Sequence, residues 1–525
     1  MTGAVARAGA IALTGLDGTP VVVEAALANQ LPGMAIVGLP DSAIAEAKQR
    51  VRLATQRAGV DLLGRFVLVN LSPAALPKQG SSFDLAIALA IAAAAGRITG
   101  ERLPSTAHLG EIGLDGELRR PPGLLGAVLA ARRLGFERVM VPERCAREAA
   151  LVPGIEVVAA RDLAGALAWY RGETEGWRIG APDAPDAAPA LVSSADIADV
   201  IGQPEAVEAM VIAAAGRHHL SMVGPPGAGK TLLAMRLPTI LPDLTPDEQI
   251  VASSIASLGS DALTGLVTRP PFESPHHTAS AVAIIGGGGG SRGGGGGGGG
   301  GGAVLPGAVT RACHGVLFLD EAPQFPMAVL DALRQPLESG IVEIHRARVR
   351  TTLPARVQLI LAANPCPCGN AGSPETARAC RCTPMVRTRY AGRISGPLAD
   401  RIDLRLTVRR VASALPALAE QERPTSADLR DRVVAARTRA AERLAGTPWR
   451  VNAEVPGSWL RGPAARLSRG ETAVLDQALA RGSLSMRGYD RALRVGWTIA
   501  DLAGKERPGR GELAQALALR GGAAL

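Results

Sequence analysis

The chain has 525 residues, a formal net charge of +9 and an isoelectric point near 9.8. It is too long for one hydrophobic core, and basic enough to favour polyanionic partners such as nucleic acid, although a basic proteome gives the same sum. The longest apolar run, Leu85–Ala95, falls short of the ~18 residues of a membrane-spanning helix, and six cysteines, four of them between 366 and 382, do not make a secreted disulfide framework.

Arg7 and the short apolar stretch Ala8–Leu13 are too brief for a signal peptide, so a cytoplasmic protein is expected. Residues 1–171 alternate β-rich runs (Val21–Val23, Phe66–Leu71, Arg138–Val141) with Ala-rich helical stretches (Asp41–Ala58, Leu124–Leu134), the pattern of an α/β domain. Residues 172–192, with repeated Ala-Pro-Asp, read as a linker. Residues 193–410 hold the nucleotide motifs, and 411–525 show the Ala/Leu/Arg periodicity of a helical lid (Ser426–Leu444, Glu471–Arg481, Gly488–Leu502). Within the second region, residues 286–302 are almost pure glycine. Glycine loses most entropy on ordering and offers nothing to pack, so a flexible loop is expected there.

Lysine occurs only at positions 48, 78, 230 and 505, which makes a lysine inside a motif informative. Gly224-Pro225-Pro226-Gly227-Ala228-Gly229-Lys230-Thr231 is a complete phosphate-binding loop, preceded by an apolar strand candidate and followed by a helix candidate. Its glycines let backbone N–H groups turn toward phosphates at a helix N-terminus; Lys230 neutralises charge and Thr231 offers an oxygen to Mg²⁺. The apolar run Val316–Leu319 ends in Asp320 and Glu321: one carboxylate for Mg²⁺, one to polarise the attacking water. A second run, Val357–Ala363, ends in Asn364, placed to orient that water. ATP and Mg²⁺ are the cofactors these residues call for.

Cys366, Cys368, Cys380 and Cys382 form two C-x-C pairs that four-coordinate Zn²⁺ would close; the spacing is tighter than usual, and free thiols in a loop fit the same pattern. His276 and His277 are further possible ligands, though paired loop histidines more often face solvent or a polyanion. Between Gly340 and the Asn364 strand, residues 341–352 lack a clean apolar face and read as an exposed hairpin. Arg346 and Arg348 on it are candidate DNA contacts, or simply a solvated charged face.

Longer phrases carry a resemblance. Gly38-Leu-Pro-Asp41, Pro77-Lys-Gln-Gly-Ser-Ser-Phe-Asp84, Ser274-Pro-His-His-Thr278, Leu333-Arg-Gln-Pro-Leu-Glu-Ser-Gly340, Asn364-Pro-Cys-Pro-Cys-Gly369, Ser395-Gly-Pro-Leu-Ala-Asp-Arg-Ile-Asp403 and Ser485-Met-Arg-Gly-Tyr-Asp-Arg491 span nearly the whole chain. Together they resemble the ComM/YifB family of magnesium-chelatase-like AAA+ ATPases. The resemblance implies an AAA+ core, a C-terminal lid of the magnesium-chelatase type, a homo-hexameric ring and movement of branched DNA in recombination or natural transformation. It also implies an arginine finger at Arg401, reaching a neighbour's γ-phosphate, and a second sensor at Arg487. The family's turn near residue 290 is short where this chain has its glycine tract, and Gly496-Trp497 replaces Ala-Arg in the lid.

The first domain resembles the Lon-protease (ribosomal S5 domain 2-like) fold. Ser82 falls near the Lon serine, but the stretch 110–128, where the partner lysine belongs, has none, so a scaffold or partner-binding domain is expected. Two other readings compete: an ATPase subunit acting on a metallo-tetrapyrrole chelatase, and a nucleotide-gated scaffold without turnover.

Overall fold

A computed structural model describes residues 5–38, 41–62, 64–73, 82–180, 195–288, 304–345, 350–371, 377–410 and 423–521. The fold is mixed α/β in three parts. The first holds β1 (Ala6–Thr14), β2 (Asp17–Ala28), β3 (Gly33–Val37), β4 (Phe66–Ser72), β5 (Thr106–His108), the small hairpin β6 (Glu111–Ile112) and β7 (Leu118–Arg119), then β8 (Arg138–Pro142), β9 (Glu156–Ala160) and β10 (Trp177–Ile179). Eight of these form one mixed sheet in the order β10-β9-β8-β5-β1-β2-β4-β3. On one face lies the helix Asp84–Ala94, whose residues Asp84 to Ala92 are all buried; on the other lies Leu124–Arg133. An all-apolar sequence such as Leu85–Ala92 has no polar face to give to water, so it sits inside the layer.

The linker reading of 172–192 is corrected at its start. Trp177–Ile179 pairs antiparallel with β9, Trp177 opposite Ala160, and adds an edge strand to the first domain's sheet. Trp177 packs edge-on against Trp169, burial that Pro-poor residues 172–180 can supply despite their turn-like composition. Residues 181–194 lie outside the described set.

The second part is a five-stranded parallel sheet in the order β12-β15-β18-β11-β19, made of β11 (Leu220–Val223), β12 (Phe272–Glu273), β15 (Val316–Leu319), β18 (Gln358–Ala363) and β19 (Leu404–Thr407). Residues 220–223, 316–319 and 358–363 are buried throughout, as expected of strands covered on both faces. Two short antiparallel pairs complete it: β13 (Gly286–Gly288) with β14 (Val304–Pro306), and β16 (Ile341–His345) with β17 (Arg350–Pro354).

The first pair corrects the expectation of a loop from residue 286 onward. Backbone hydrogen bonding needs no side chain, and Gly286 has φ +102° with no room for a Cβ: one there would stand 2.9 Å from Gly307 N and Leu305 O. Residues 289–303 lie outside the described set. The second pair has a cleaner apolar face than its sequence suggested. Val342, Ile344 and Leu353 turn into the core beneath β15 and β18, while Glu343 and Thr352 face outward.

The third part is helical: Ser426–Arg443, Arg469–Ala480, Met486–Leu502 and Arg510–Arg520, three of them capped by Thr425, Ser468 and Ser485 side chains that accept from backbone N–H groups. It packs on the ATPase core through Leu429, Val433, Val495, Ile499 and Ala516. Gly496, which costs about 1 kcal/mol of helix propensity, is needed at a helix crossing: a Cβ would stand 2.5 Å from Leu513 Cδ2.

The first and second parts meet at a buried charged junction. Arg120 pairs with the fully buried Glu148 (2.8 and 2.9 Å) and donates to Ser257 O at 2.7 Å, while Ser257 Oγ donates to Glu148 at 2.6 Å. This fastens the end of the helix Pro246–Ser257 to the first domain. No helix among the described residues is long and apolar enough to cross a membrane.

Candidate functional site

The loop 224–229 runs from the end of β11 into the helix Lys230–Ile240, with Gly227 at φ +76° and Gly229 at φ +88°. Those left-handed turns are open to glycine at little cost, and they aim the loop's N–H groups inward. Gly224 has a second reason to lack a side chain, since a Cβ there would stand 2.2 Å from Val408 O, just past the end of the neighbouring strand β19. Around the loop lies a cavity of about 660 Å³, lined by residues 226–232, 274–277, 320, 321, 363 and 364.

The motif residues converge on it from three strand ends. Lys230 Nζ donates to Gly224 O (2.7 Å), Pro225 O (3.0 Å) and Asn364 Oδ1 (3.1 Å). Burial holds its ammonium below the ordinary lysine value, with Asp320 and Glu321 pulling the other way. Thr231 Oγ1 donates to Asp320 Oδ2 at 2.7 Å, and Asp320 Oδ1 accepts the Glu321 N–H at 2.8 Å. Thr231 and Asp320 thus present two hard oxygen donors side by side, a set that fits Mg²⁺. Glu321 has φ +49°, an uncommon backbone for a residue with a side chain, and its carboxylate lies 3.8 Å from His277 Nδ1.

Several partners were not visible in the sequence. Arg410 donates twice to Pro226 O (3.0 and 2.8 Å), clamping the loop from 184 residues away. Gln203 Nε2 donates to Ala228 O at 2.7 Å; its place in Gly202-Gln203-Pro204, just before the first core helix, was the available signal. His276 and His277 line this cavity, ring to ring at 4.0 Å, and take no part in the cysteine cluster.

Neither distant arginine enters this cavity. Arg401 is held on its own subunit by Glu338 and by Pro397 O (2.8 Å). Arg487 is exposed in the first turn of the helix Met486–Leu502, and among the described residues none of the lid lines the cavity. Arg487 is thus not among the residues around this cavity. The lid packs against the helices Pro204–Gly216 and Lys230–Ile240, with Arg437 donating to Ala214 O (2.7 and 3.1 Å) and Thr239 bonded to Ser426 (2.7 Å). Arg346 and Arg348 lie outside the described residues.

The four cysteine sulfurs do come together, all within 4.8 Å of one another, which suggests a zinc site. Ser82 sits in the turn ahead of Asp84–Ala94; Lys78 lies outside the described residues.

A parallel sheet with a phosphate-binding loop after β11, beside the central strand β18, and with acidic and amide side chains at the ends of β15 and β18 defines an AAA ATPase of the magnesium-chelatase type. Sequence comparison agrees: the family described as magnesium chelatase, subunit ChlI, matches residues 196–415, a second described as subunit ChlI of Mg-chelatase matches residues 23–145, and the magnesium chelatase subunit ChlI C-terminal family matches residues 423–520. The chain is 44% identical to an uncharacterised protein of Mycobacterium tuberculosis over 519 residues (98% of this chain, 99% of the relative). It is 37% identical to the competence protein ComM of Haemophilus influenzae over 516 residues (96% and 95%) and 36% identical to the YifB protein of Salmonella typhimurium over 510 residues (97% and 96%). A stretch of 141 residues is 29% identical to the Lon protease of Mycolicibacterium smegmatis (26% of this chain, 18% of the protease), in keeping with a Lon-like first domain. The chain belongs to the YifB/ComM family of magnesium-chelatase-like proteins, and its ATPase domain implies ATP hydrolysis with Mg²⁺.

Proposed function

We propose that this protein is a ring-forming ATPase that moves branched DNA, as a branch-migration helicase in recombination or natural transformation. The observation that carries the ATPase half is the convergence of Lys230, Thr231, Asp320, Glu321 and Asn364 on one cavity. The DNA half is supported by the near full-length likeness to a competence protein and by the net charge of +9.

In this reading the N–H groups around Gly227 and Gly229 and the Lys230 ammonium bind the phosphates, and Thr231 and Asp320 hold the metal. Bound Mg²⁺ neutralises charge developing between the β- and γ-phosphates. Glu321 accepts the proton of the attacking water, and Asn364 orients that water. Arg401 and Arg487, which do not reach their own cavity, act on a neighbour's, so a closed ring, a hexamer in this reading, completes each site. Arg346 and Arg348, between the paired strands β16 and β17, contact DNA phosphates in the pore.

The test is ATP turnover titrated with single-stranded, duplex, forked and four-way DNA. Stimulation strongest with branched DNA is expected, and indifference to every DNA across a range of salt concentrations would overturn the DNA half. Arg346→Ala with Arg348→Ala should lower the salt slope of DNA binding by about one unit per lost phosphate contact. The family descriptions that match name a magnesium chelatase subunit, which favours a second reading, action on a metallo-tetrapyrrole system. Stimulation of turnover by a porphyrin and not by DNA would select it.

A further inference from the structure

The cysteine cluster is built against the nucleotide site. Cys366 and Cys368 follow Asn364 at the end of β18, and Gly369, at φ +78°, closes a tight turn by donating its N–H to Cys366 O at 2.9 Å. That turn rides on the phosphate-binding loop: a Cβ on Gly369 would stand 2.4 Å from Pro226 Cδ. Pro226 lines the cavity, and Asn364, two residues before Cys366, accepts from Lys230. On the far side of the cluster, Cys382 is followed by Thr383, which caps the helix Pro384–Ala391. That helix carries the buried Tyr390, whose hydroxyl is pushed up by burial and by Glu321, and pulled back by the backbone N–H of Asn364.

The four sulfurs lie close enough together, within 4.8 Å of one another, to share a single ion. Sγ–Sγ separations are 3.4 Å for Cys366–Cys368, 3.6 Å for Cys368–Cys380 and 3.8 Å for Cys366–Cys380. A tetrahedron with metal–sulfur bonds of about 2.3 Å has edges of about 3.8 Å, whereas a disulfide brings its sulfurs to about 2.05 Å. Soft thiolates exclude Mg²⁺ and Ca²⁺ as occupants. Outer partners are in place as well: the Ala371 N–H points at Cys366 Sγ (3.4 Å) and Arg387 Nη2 at Cys380 Sγ (3.3 Å), contacts that offset the negative charge of a four-thiolate site.

We propose that Cys366, Cys368, Cys380 and Cys382 hold one Zn²⁺ and that this metal-closed loop is a structural wall of the nucleotide site, so that tight nucleotide binding requires the zinc. The coupling half rests on the ATPase reading above; the metal half does not. Zinc fixes the two C-x-C turns relative to one another, and through Gly369 and Asn364 it fixes the positions of Pro226 and of the Lys230 acceptor. Without it, the thiols lose their common centre and the packing on Pro226 loosens.

Full-length protein from zinc-supplemented cells should carry about one zinc per chain by elemental analysis, and no stoichiometric iron. Cys366→Ser and Cys380→Ser should lose it, whereas Cys368→His, at an exposed ligand position, should keep it. Removing the metal with a chelator should weaken binding of a fluorescent ATP analogue about tenfold or more, and added Zn²⁺ should restore it. Lys230→Ala should keep its zinc while losing nucleotide, which separates failure of the ATPase reading from failure of the metal site. Wild-type protein without stoichiometric zinc, or with iron in its place, overturns the metal assignment. Nucleotide affinity unchanged after zinc is stripped overturns the coupling. If the serine variants do not fold, chelation and restoration of the wild-type protein decide both points.

Discussion

Thr231 donates its hydroxyl to Asp320 across 89 residues of sequence, at 2.7 Å. The two oxygens come from a helix N-terminus and a strand end that share nothing locally, so the pair exists only when the sheet is assembled. If both oxygens serve one Mg²⁺, Thr231→Ala and Asp320→Asn should each raise the Mg²⁺ concentration needed for half-maximal turnover. The double variant should then cost less than the sum of the two singles, because each removes the same function. Mg²⁺ titrations of ATPase rate check this, and strict additivity would assign the residues to separate roles.

Lys230 and Glu321 face the same cavity with different tasks. Lys230→Ala should weaken ATP binding about 10- to 100-fold, the worth of a lost charge-assisted hydrogen bond. Glu321→Gln should bind ATP at close to the wild-type affinity while its turnover falls by a factor on the order of 10² to 10⁴. Equilibrium binding and single-turnover hydrolysis, measured separately, distinguish the two. Wild-type turnover in Glu321→Gln would remove Glu321 as the base.

Asp403 ties the ATPase core to the lid. It lies 2% exposed at the foot of β19, accepts from Arg491 Nη1 at 2.6 Å and from the His219 N–H at 3.2 Å, and stands 3.5 Å from His218 Nδ1. Burial alone would raise its pKa; Arg491 and His218 reverse that and hold the carboxyl well below the ordinary carboxylate range. A depressed folded-state pKa contributes stability above the unfolded value near 4, and that contribution is lost as pH falls toward the folded one. Asp403→Asn should cost about 3 kcal/mol at neutral pH, the usual penalty for removing one partner of a buried pair. The gap from wild type should hold steady from neutral pH to about pH 5 and narrow below about pH 4. Denaturant melts across that range test it; a gap that widens in acid would contradict the charge assignment.

The sequence announced what is local and hid what is not. Gly224 to Thr231 reads directly because a phosphate-binding loop must be contiguous, and Asp320, Glu321 and Asn364 read because each ends an apolar run that can only be a buried strand. Arg410 on Pro226, Gly369 against Pro226 and Glu148 beneath Arg120 join segments far apart in the chain, and nothing in an arginine-rich sequence marks which arginine is the clamp. The strand Trp177–Ile179 was missed because its neighbours Gly176 and Gly180 look like linker. Only the docking of Trp177 on Trp169 turns that stretch into a sheet edge.

Arg401 offers the most direct test of a ring. Its side chain is 13% exposed and bonded within its own subunit to Glu338 and to Pro397 O, with Nε buried and unpartnered. It is not among the residues lining its own cavity. For it to brace a γ-phosphate, that phosphate must belong to a neighbour, and the Glu338 contact must give way to it. Arg401→Ala should therefore leave ATP affinity near wild type and lower turnover by about 10³-fold or more, the effect of losing such a finger. Glu338→Gln, which loosens the restraint without touching the guanidinium, should retain turnover. Mixing Arg401→Ala with Lys230→Ala subunits should restore part of the rate, because some interfaces then join an intact loop to an intact arginine. No recovery, with mixed assembly verified by native mass spectrometry, would show that Arg401 does not act across a subunit boundary.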